Sequence, residues 1–323
     1  NNNITTSGGS NSGMQLASTV NNNYIYGNSI TSVNSNSLEL FSSYNNSVYD
    51  NTITTMGSSA RAILMDSSVY NNLVYNNNIT TNGSTAEGIQ LSSTVYNNSV
   101  YGNFIRTIGA GDGMFLSRKV YNNSIYNNII YTNGTGGDGI LLDTSAYLNY
   151  IYSNNITTYG NNSNGISLIS SYNNTIYNNN ISTNSSDTSS YGILLQNSSN
   201  NTFYRNIISS LSSGIVISGR GGSSRFNSFT NDTIVPCSIG CAVSASGTAF
   251  NGYRDIILTG NATDIIFTNV SMNKSLIGFY PDNPSFPHEK NNLTIKWYLN
   301  VNVTNSTDNS PISGAQVVIN DSF

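Results

Sequence analysis

An isoleucine returns along this chain every 23 to 27 residues, at Ile4, Ile30, Ile53, Ile79, Ile105, Ile130, Ile156, Ile181, Ile208 and Ile234. Most of these close a decapeptide of the type Tyr44-Asn-Asn-Ser-Val-Tyr-Asp-Asn-Thr-Ile53, which recurs from Tyr70, Tyr96, Tyr121, Tyr147 and Tyr172. A second short segment precedes it, as in Gly88-Ile-Gln-Leu91, Gly113-Met-Phe-Leu116, Gly139-Ile-Leu-Leu142 and Gly192-Ile-Leu-Leu195. Apolar and polar residues alternate in both, the period of a strand with one buried face. No single unit can bury that face, so neighbouring units must stack. Short strands on a period near 25 predict an all-β parallel β-helix of about ten coils over residues 1–275. At about 4.8 Å per coil it is a rod roughly 50 Å long.

Two asparagine columns fit that stack. One lies two residues before the closing isoleucine and includes Asn51, Asn77, Asn103, Asn128, Asn154 and Asn179. The other lies two before the first-strand Val or Ile and includes Asn46, Asn72, Asn98, Asn123, Asn149 and Asn174. Residues two apart on a strand share a face, so both columns point inward. A buried amide needs partners, and stacking provides them as hydrogen-bonded ladders. A structural role therefore accounts for much of the chain's 57 Asn.

The pattern Gly-Ile-x-Leu … Asn-Asn-Thr-Ile-Tyr-Asn-Asn-x-Ile resembles the right-handed parallel β-helix repeats of pectate-lyase-like and NosD-like proteins. It is most similar to those of large archaeal and bacterial cell-surface proteins. The resemblance implies the fold, while enzymes, adhesins and rods share that scaffold. NosD-like proteins are associated with copper, but five scattered Met and one His offer no copper site. Tyr280-Pro-Asp-Asn-Pro-Ser-Phe-Pro287 reads as a cap or linker within residues 276–292. Residues 293–323 alternate again, and Pro311 to Ile319 resembles a strand of an Ig-like or carboxypeptidase-regulatory-like sandwich. The expectation is an incomplete sandwich belonging to a longer parent chain.

Charged residues are 8% of the chain and the net charge is −4 with no basic block, which argues against nucleic-acid binding. No run of eighteen apolar residues suggests a membrane span. Glu87, Asp112 and Asp138 precede the glycine of the second strand on three consecutive coils. Stacked about 5 Å apart, they suit a calcium ion as cofactor, or a wet edge of turn-forming acids, or a glycosidase pair. No residue is assigned a catalytic role. Cys237 and Cys241 either pair locally or stay reduced. Outward Tyr49, Tyr75, Tyr101, Tyr126, Tyr152 and Tyr177 stack on themselves, contact another subunit or bind sugar. Phe115, Leu141 and Leu194 add an outward apolar row that something should cover. Asn45, Asn78, Asn97, Asn122, Asn155, Asn173 and Asn180 are outward Asn-x-Ser/Thr acceptors of N-glycans.

These features predict a non-enzymatic, extracellular glycoprotein rod of a cell surface, S-layer, filament or adhesin. Its partners would be further copies or other surface proteins. The alternative is a carbohydrate-binding or carbohydrate-active module of the lyase, glycosidase or tailspike kind.

Overall fold

The computed structural model describes residues 2–9, 12–185, 187–220, 222–235, 237, 253–280 and 290–298. Among these residues three long parallel sheets wind into one solenoid, and a fourth of two short strands pairs Ser224–Arg225 with Ala262–Thr263. Sheet 1 carries the closing isoleucines and has ten strands, from Asn3–Thr6 to Thr233–Val235. Sheet 2 carries the glycine-led strands and has eleven, from Met14–Ala17 to Ile277–Tyr280. Sheet 3, also of eleven, runs from Tyr24–Tyr26 to Leu293–Lys296. A single 3-10 turn, Lys274–Leu276, is the one helical element among the described residues, and none of their helices could cross a membrane.

Register is uniform. Ile79 faces Ile53 and Ile105, Leu91 faces Met65 and Leu116, and Val100 faces Val74 and Ile125. These inward rows form one fully buried core. In the late coils the sheet 3 row changes to Phe203, Phe229 and Phe267, whose successive ring centroids lie 4.5 Å apart.

Both asparagine columns form the expected ladders. In the middle of the rod each asparagine donates its backbone N–H and its Nδ2 to the Oδ1 one coil on. Asn98 does so to Asn123 at 3.0 Å in both bonds, and its Nδ2 also reaches Val69 O and Tyr96 O. The residue before each ladder asparagine takes a left-handed turn. Asn45, Asn97, Asn122 and Asn173 have φ of 54 to 57°, a conformation that asparagine tolerates better than most residues. All seven expected glycan acceptors are exposed.

The leading glycines of sheet 2 have a steric cause. A Cβ at Gly113 would stand 2.3 Å from Ile130 Cγ2 and 2.6 Å from Gly139 O. Gly113→Ala should therefore destabilise the rod by about 1–3 kcal/mol in urea unfolding. Gly9→Ala, with nothing within 4 Å, should leave it unchanged.

The expected sandwich is not seen. Leu293–Lys296, read as its opening strand, instead pairs in parallel with Ile265–Thr268 of sheet 3. Ile277–Tyr280, inside the expected linker, pairs with Arg254–Thr259 of sheet 2. The solenoid thus continues past residue 275, because an alternating strand fits a solenoid edge as readily as a sandwich. The prolines after Tyr280, and residues 299–323 with Pro311 to Ile319, lie outside the described residues.

Candidate functional site

The outer face of sheet 2 mixes polar, apolar and charged side chains. Its central row runs Gln15, Glu39, Leu64, Gln90, Phe115, Leu141, Ser167, Leu194, Val216 and Ile257. Leu64 and Ser167 interrupt a row that is otherwise polar in the early coils and apolar in the later ones. Phe115, Leu141 and Leu194 are half-buried, and Val216 and Ile257 are buried.

Along one edge of this face runs the acidic column, which proves to be a third ladder. Asn36 Oδ1 accepts the Arg61 N–H at 2.7 Å, Asp112 Oδ1 the Asp138 N–H at 2.8 Å and Asp138 Oδ1 the Asn164 N–H at 2.6 Å. Asn164 Oδ1 then accepts the Tyr191 N–H at 2.8 Å. Only an acceptor is required in these steps, so aspartate can stand where asparagine stands. Glu87 lies between Arg61 and Asp112 and pairs with Arg61 Nε at 3.1 Å. Burial pushes Asp138 up to about 6, against opposing hydrogen bonds from Ser167 and Asn164. Burial and the neighbouring Asp138 charge hold Asp112 well above the usual carboxylate range. Burial also raises Glu87, with Arg61 opposing.

This arrangement changes the reading of Glu87, Asp112 and Asp138. The carboxylates of Asp112 and Asp138 are turned to backbone N–H groups of the adjacent coil rather than to a common centre. Among the described residues no three acidic, histidine or cysteine side chains are gathered as metal ligands. The proposed Cys237–Cys241 pair cannot be followed, since Cys241 lies outside the described residues.

Beside the column, a cleft of about 340 Å³ opens over the coils that carry Arg61, Gln90, Phe115 and Asp143. Leu64, Gln90 and Phe115 make its floor, and Arg61 donates through Nε to Gln90 Oε1. Asp66, Ser92, Ser117 and Asp143 form a row along the far side. One Asp66 carboxylate oxygen is buried without a hydrogen-bond partner. Arg118 closes the rim. It and Lys119 have φ of 61° and 63°, in a turn where neighbouring coils carry Ser93-Thr94 and Thr144-Ser145. Long basic side chains in that conformation are uncommon, and such backbone cost clusters at functional sites.

The outward tyrosines stack on themselves. Tyr26, Tyr49, Tyr75, Tyr101, Tyr126, Tyr152, Tyr177 and Tyr204 form one ladder with centroids 4.6 to 5.0 Å apart and planes within 8°. A second ladder runs from Tyr44 to Tyr172. Partial burial, then the neighbouring ring, raises the Tyr101 hydroxyl above its ordinary value.

Sequence reading missed Asp66 and Asp143 in the cleft. Their signal is weak, an acid at the fourth strand position where Ser92 and Ser117 stand between them.

Residues 120–269 match the family model described as a right-handed β-helix region. Among curated proteins none matches this chain. In solved structures the chain is similar to the A-module of a mannuronan C-5 epimerase from Azotobacter vinelandii. That match has a TM-score of 0.56 at 13% identity and covers 97% of this chain and 91% of the other. It is also similar to the enzymatically active domain of tailspike protein 2 of bacteriophage CBA120. There the TM-score is 0.52 at 11% identity, covering 84% of this chain and 42% of the other. At such identities the likeness is one of fold.

Proposed function

We propose that this chain is a carbohydrate-engaging β-helix module that holds an extended polysaccharide along the outer face of sheet 2. The cleft around Phe115 carries the proposal. A half-exposed aromatic ring between two arginines and two aspartates suits a sugar. The ring packs on the apolar face of a pyranose, arginines bind its anionic or hydroxyl oxygens, and aspartates accept its hydroxyls. The solved relatives' names, an epimerase acting on mannuronan and a phage tailspike, support this reading by analogy of fold alone.

The role proposed is binding. Asp66 and Asp143 lie three strands apart, about 14 Å, which exceeds the roughly 5 to 9.5 Å of glycosidase carboxylate pairs. Asp112 and Asp138 are adjacent, but their Oδ1 atoms hold the ladder. On a glycan array the native chain should retain one class of polysaccharide, and Phe115→Ala or Arg118→Ala should weaken it at least tenfold. Retention of none by the native chain would refute binding. Unchanged binding in both variants would move the site elsewhere.

A second reading rests on the tyrosine and asparagine ladders. They make a stiff rod with few titratable groups, suited to an extracellular glycoprotein assembly built from copies of itself or other surface proteins. Electron microscopy of native material, with an intact-mass measurement, tests it. Ordered filaments with sugar mass at Asn45, Asn78, Asn97, Asn122, Asn155, Asn173 or Asn180 support it, and dispersed particles without sugar oppose it.

A further inference from the structure

Sheet 1 presents hydroxyls and amides to the outside over most of its length. Ile207 and Val235 are isolated exceptions, and three neighbouring coils depart from this together. Phe104 and Ile129 occupy the row that holds Asn78, Asn155 and Asn180 elsewhere, and Arg106 and Tyr131 occupy the row of Thr80 and Thr157. Just past the strands, Tyr159 completes the group. Phe104, Ile129 and Tyr159 are 40 to 49% exposed. With Asn133 the aromatic residues and Arg106 line a depression of about 580 Å³, a size ordinary for small-ligand sites.

Two features distinguish this patch from a covered apolar face. In the tyrosine ladders each inner ring lies between two parallel rings. Here Phe104 and Tyr131 are tilted by 50° with centroids 5.7 Å apart, so the pair does not close into a stack. Arg106 is also the only charged side chain on the ten strands of sheet 1, and it makes no ion pair among the described residues. An exposed guanidinium with no anion of its own, set among aromatic rings and flanked by amides, is complementary to an acidic sugar.

We propose that this patch is a second glycan site, separate from the sheet 2 cleft, and that its occupant is an acidic oligosaccharide. Arg106 binds the sugar carboxylate, Tyr131 and Tyr159 pack on ring faces, and Asn133 bonds hydroxyls. The proposal stands on sheet 1 alone and does not depend on the cleft.

The test is calorimetric titration of the full chain with a hexameric oligouronate, with a neutral hexameric glucan as control. Phe115→Ala, in the sheet 2 cleft, isolates the sheet 1 site. In that background the oligouronate should still bind, and Arg106→Gln and Tyr159→Ser should each weaken it at least fivefold. The neutral glucan should bind at least tenfold more weakly. Both substitutions are at exposed positions, and unchanged circular dichroism melts exclude misfolding as the cause. No oligouronate binding in the Phe115→Ala chain, or binding that ignores Arg106→Gln, overturns the proposal. So does equal affinity for the glucan. Binding that emerges only after enzymatic removal of N-glycans also overturns it, because the patch would then belong to the chain's own sugars.

Discussion

Replacing Asn103 with alanine should cost about 4–6 kcal/mol, from several buried polar groups each losing a partner worth about 1–3 kcal/mol. Asn103 is 1% exposed. Its Oδ1 accepts the Asn77 N–H and Nδ2, both at 3.0 Å. Its Nδ2 donates to Asn128 Oδ1 at 3.0 Å, Val74 O at 2.9 Å and Tyr101 O at 3.1 Å. Alanine strands groups on three consecutive coils, and the stacked fold leaves little room for water. Urea unfolding gives the size of the loss. Because coils contact mainly their neighbours, hydrogen exchange should show the weakening centred on the Asn77, Asn103 and Asn128 coils. Asn78→Ala, at an exposed position one residue beyond the ladder, should change stability by less than about 0.5 kcal/mol. A loss at Asn103 no larger than that at Asn78 would mean the ladder is decoration on an apolar core.

The same contrast explains what the sequence disclosed. The two asparagine ladders were legible because every rung needs both a donor and an acceptor, so one residue type recurs at one place. The third ladder was hidden because it needs an acceptor only. Asn36, Asp112, Asp138 and Asn164 all serve, and the column looked like an acidic cluster. The sheet 1 patch was invisible for another reason. Phe104, Arg106, Tyr131 and Tyr159 sit at outward positions, outside the inward pattern that defines the repeat, and 55 residues separate first from last. Only the coiling brings them together. The misread sandwich shows the limit of periodicity. Leu293–Lys296 alternates as a strand should, but alternation does not say which sheet receives it.

Stability should fall as pH rises from about 4 to 8, the reverse of ordinary acid denaturation. The cause is three buried aspartates that stand where a neutral amide would fit. Asp232 ends the asparagine ladder that precedes the closing isoleucines. Its Oδ1 accepts the Asn206 N–H and Nδ2 at 2.8 Å, its Oδ2 accepts the Thr230 N–H at 3.1 Å, and burial pushes it up to about 7. Asp138 rises to about 6, and Asp112 rises with it. In each case the folded chain holds its proton more tightly than the unfolded chain. The stabilisation is complete below the unfolded value near 4 and is lost as pH climbs through the folded value. For Asp232 alone, moving a carboxyl from about 3.9 to about 7 corresponds to about 4 kcal/mol. Asp232→Asn should recover about 2–4 kcal/mol at pH 8 and change little at pH 4. The amide has a place to go. Asn206 Nδ2 already donates to Ile176 O at 2.9 Å, and the ladder's repeat puts Phe203 O in the equivalent position for residue 232. Urea midpoints at pH 4, 6 and 8 for the native chain and Asp232→Asn measure both effects. Equal midpoints across that range in the native chain would show that these carboxylates ionise at ordinary values. The acidic column would then be open to water, and the binding role argued for the adjoining cleft would have to accommodate the charges of Asp112 and Asp138.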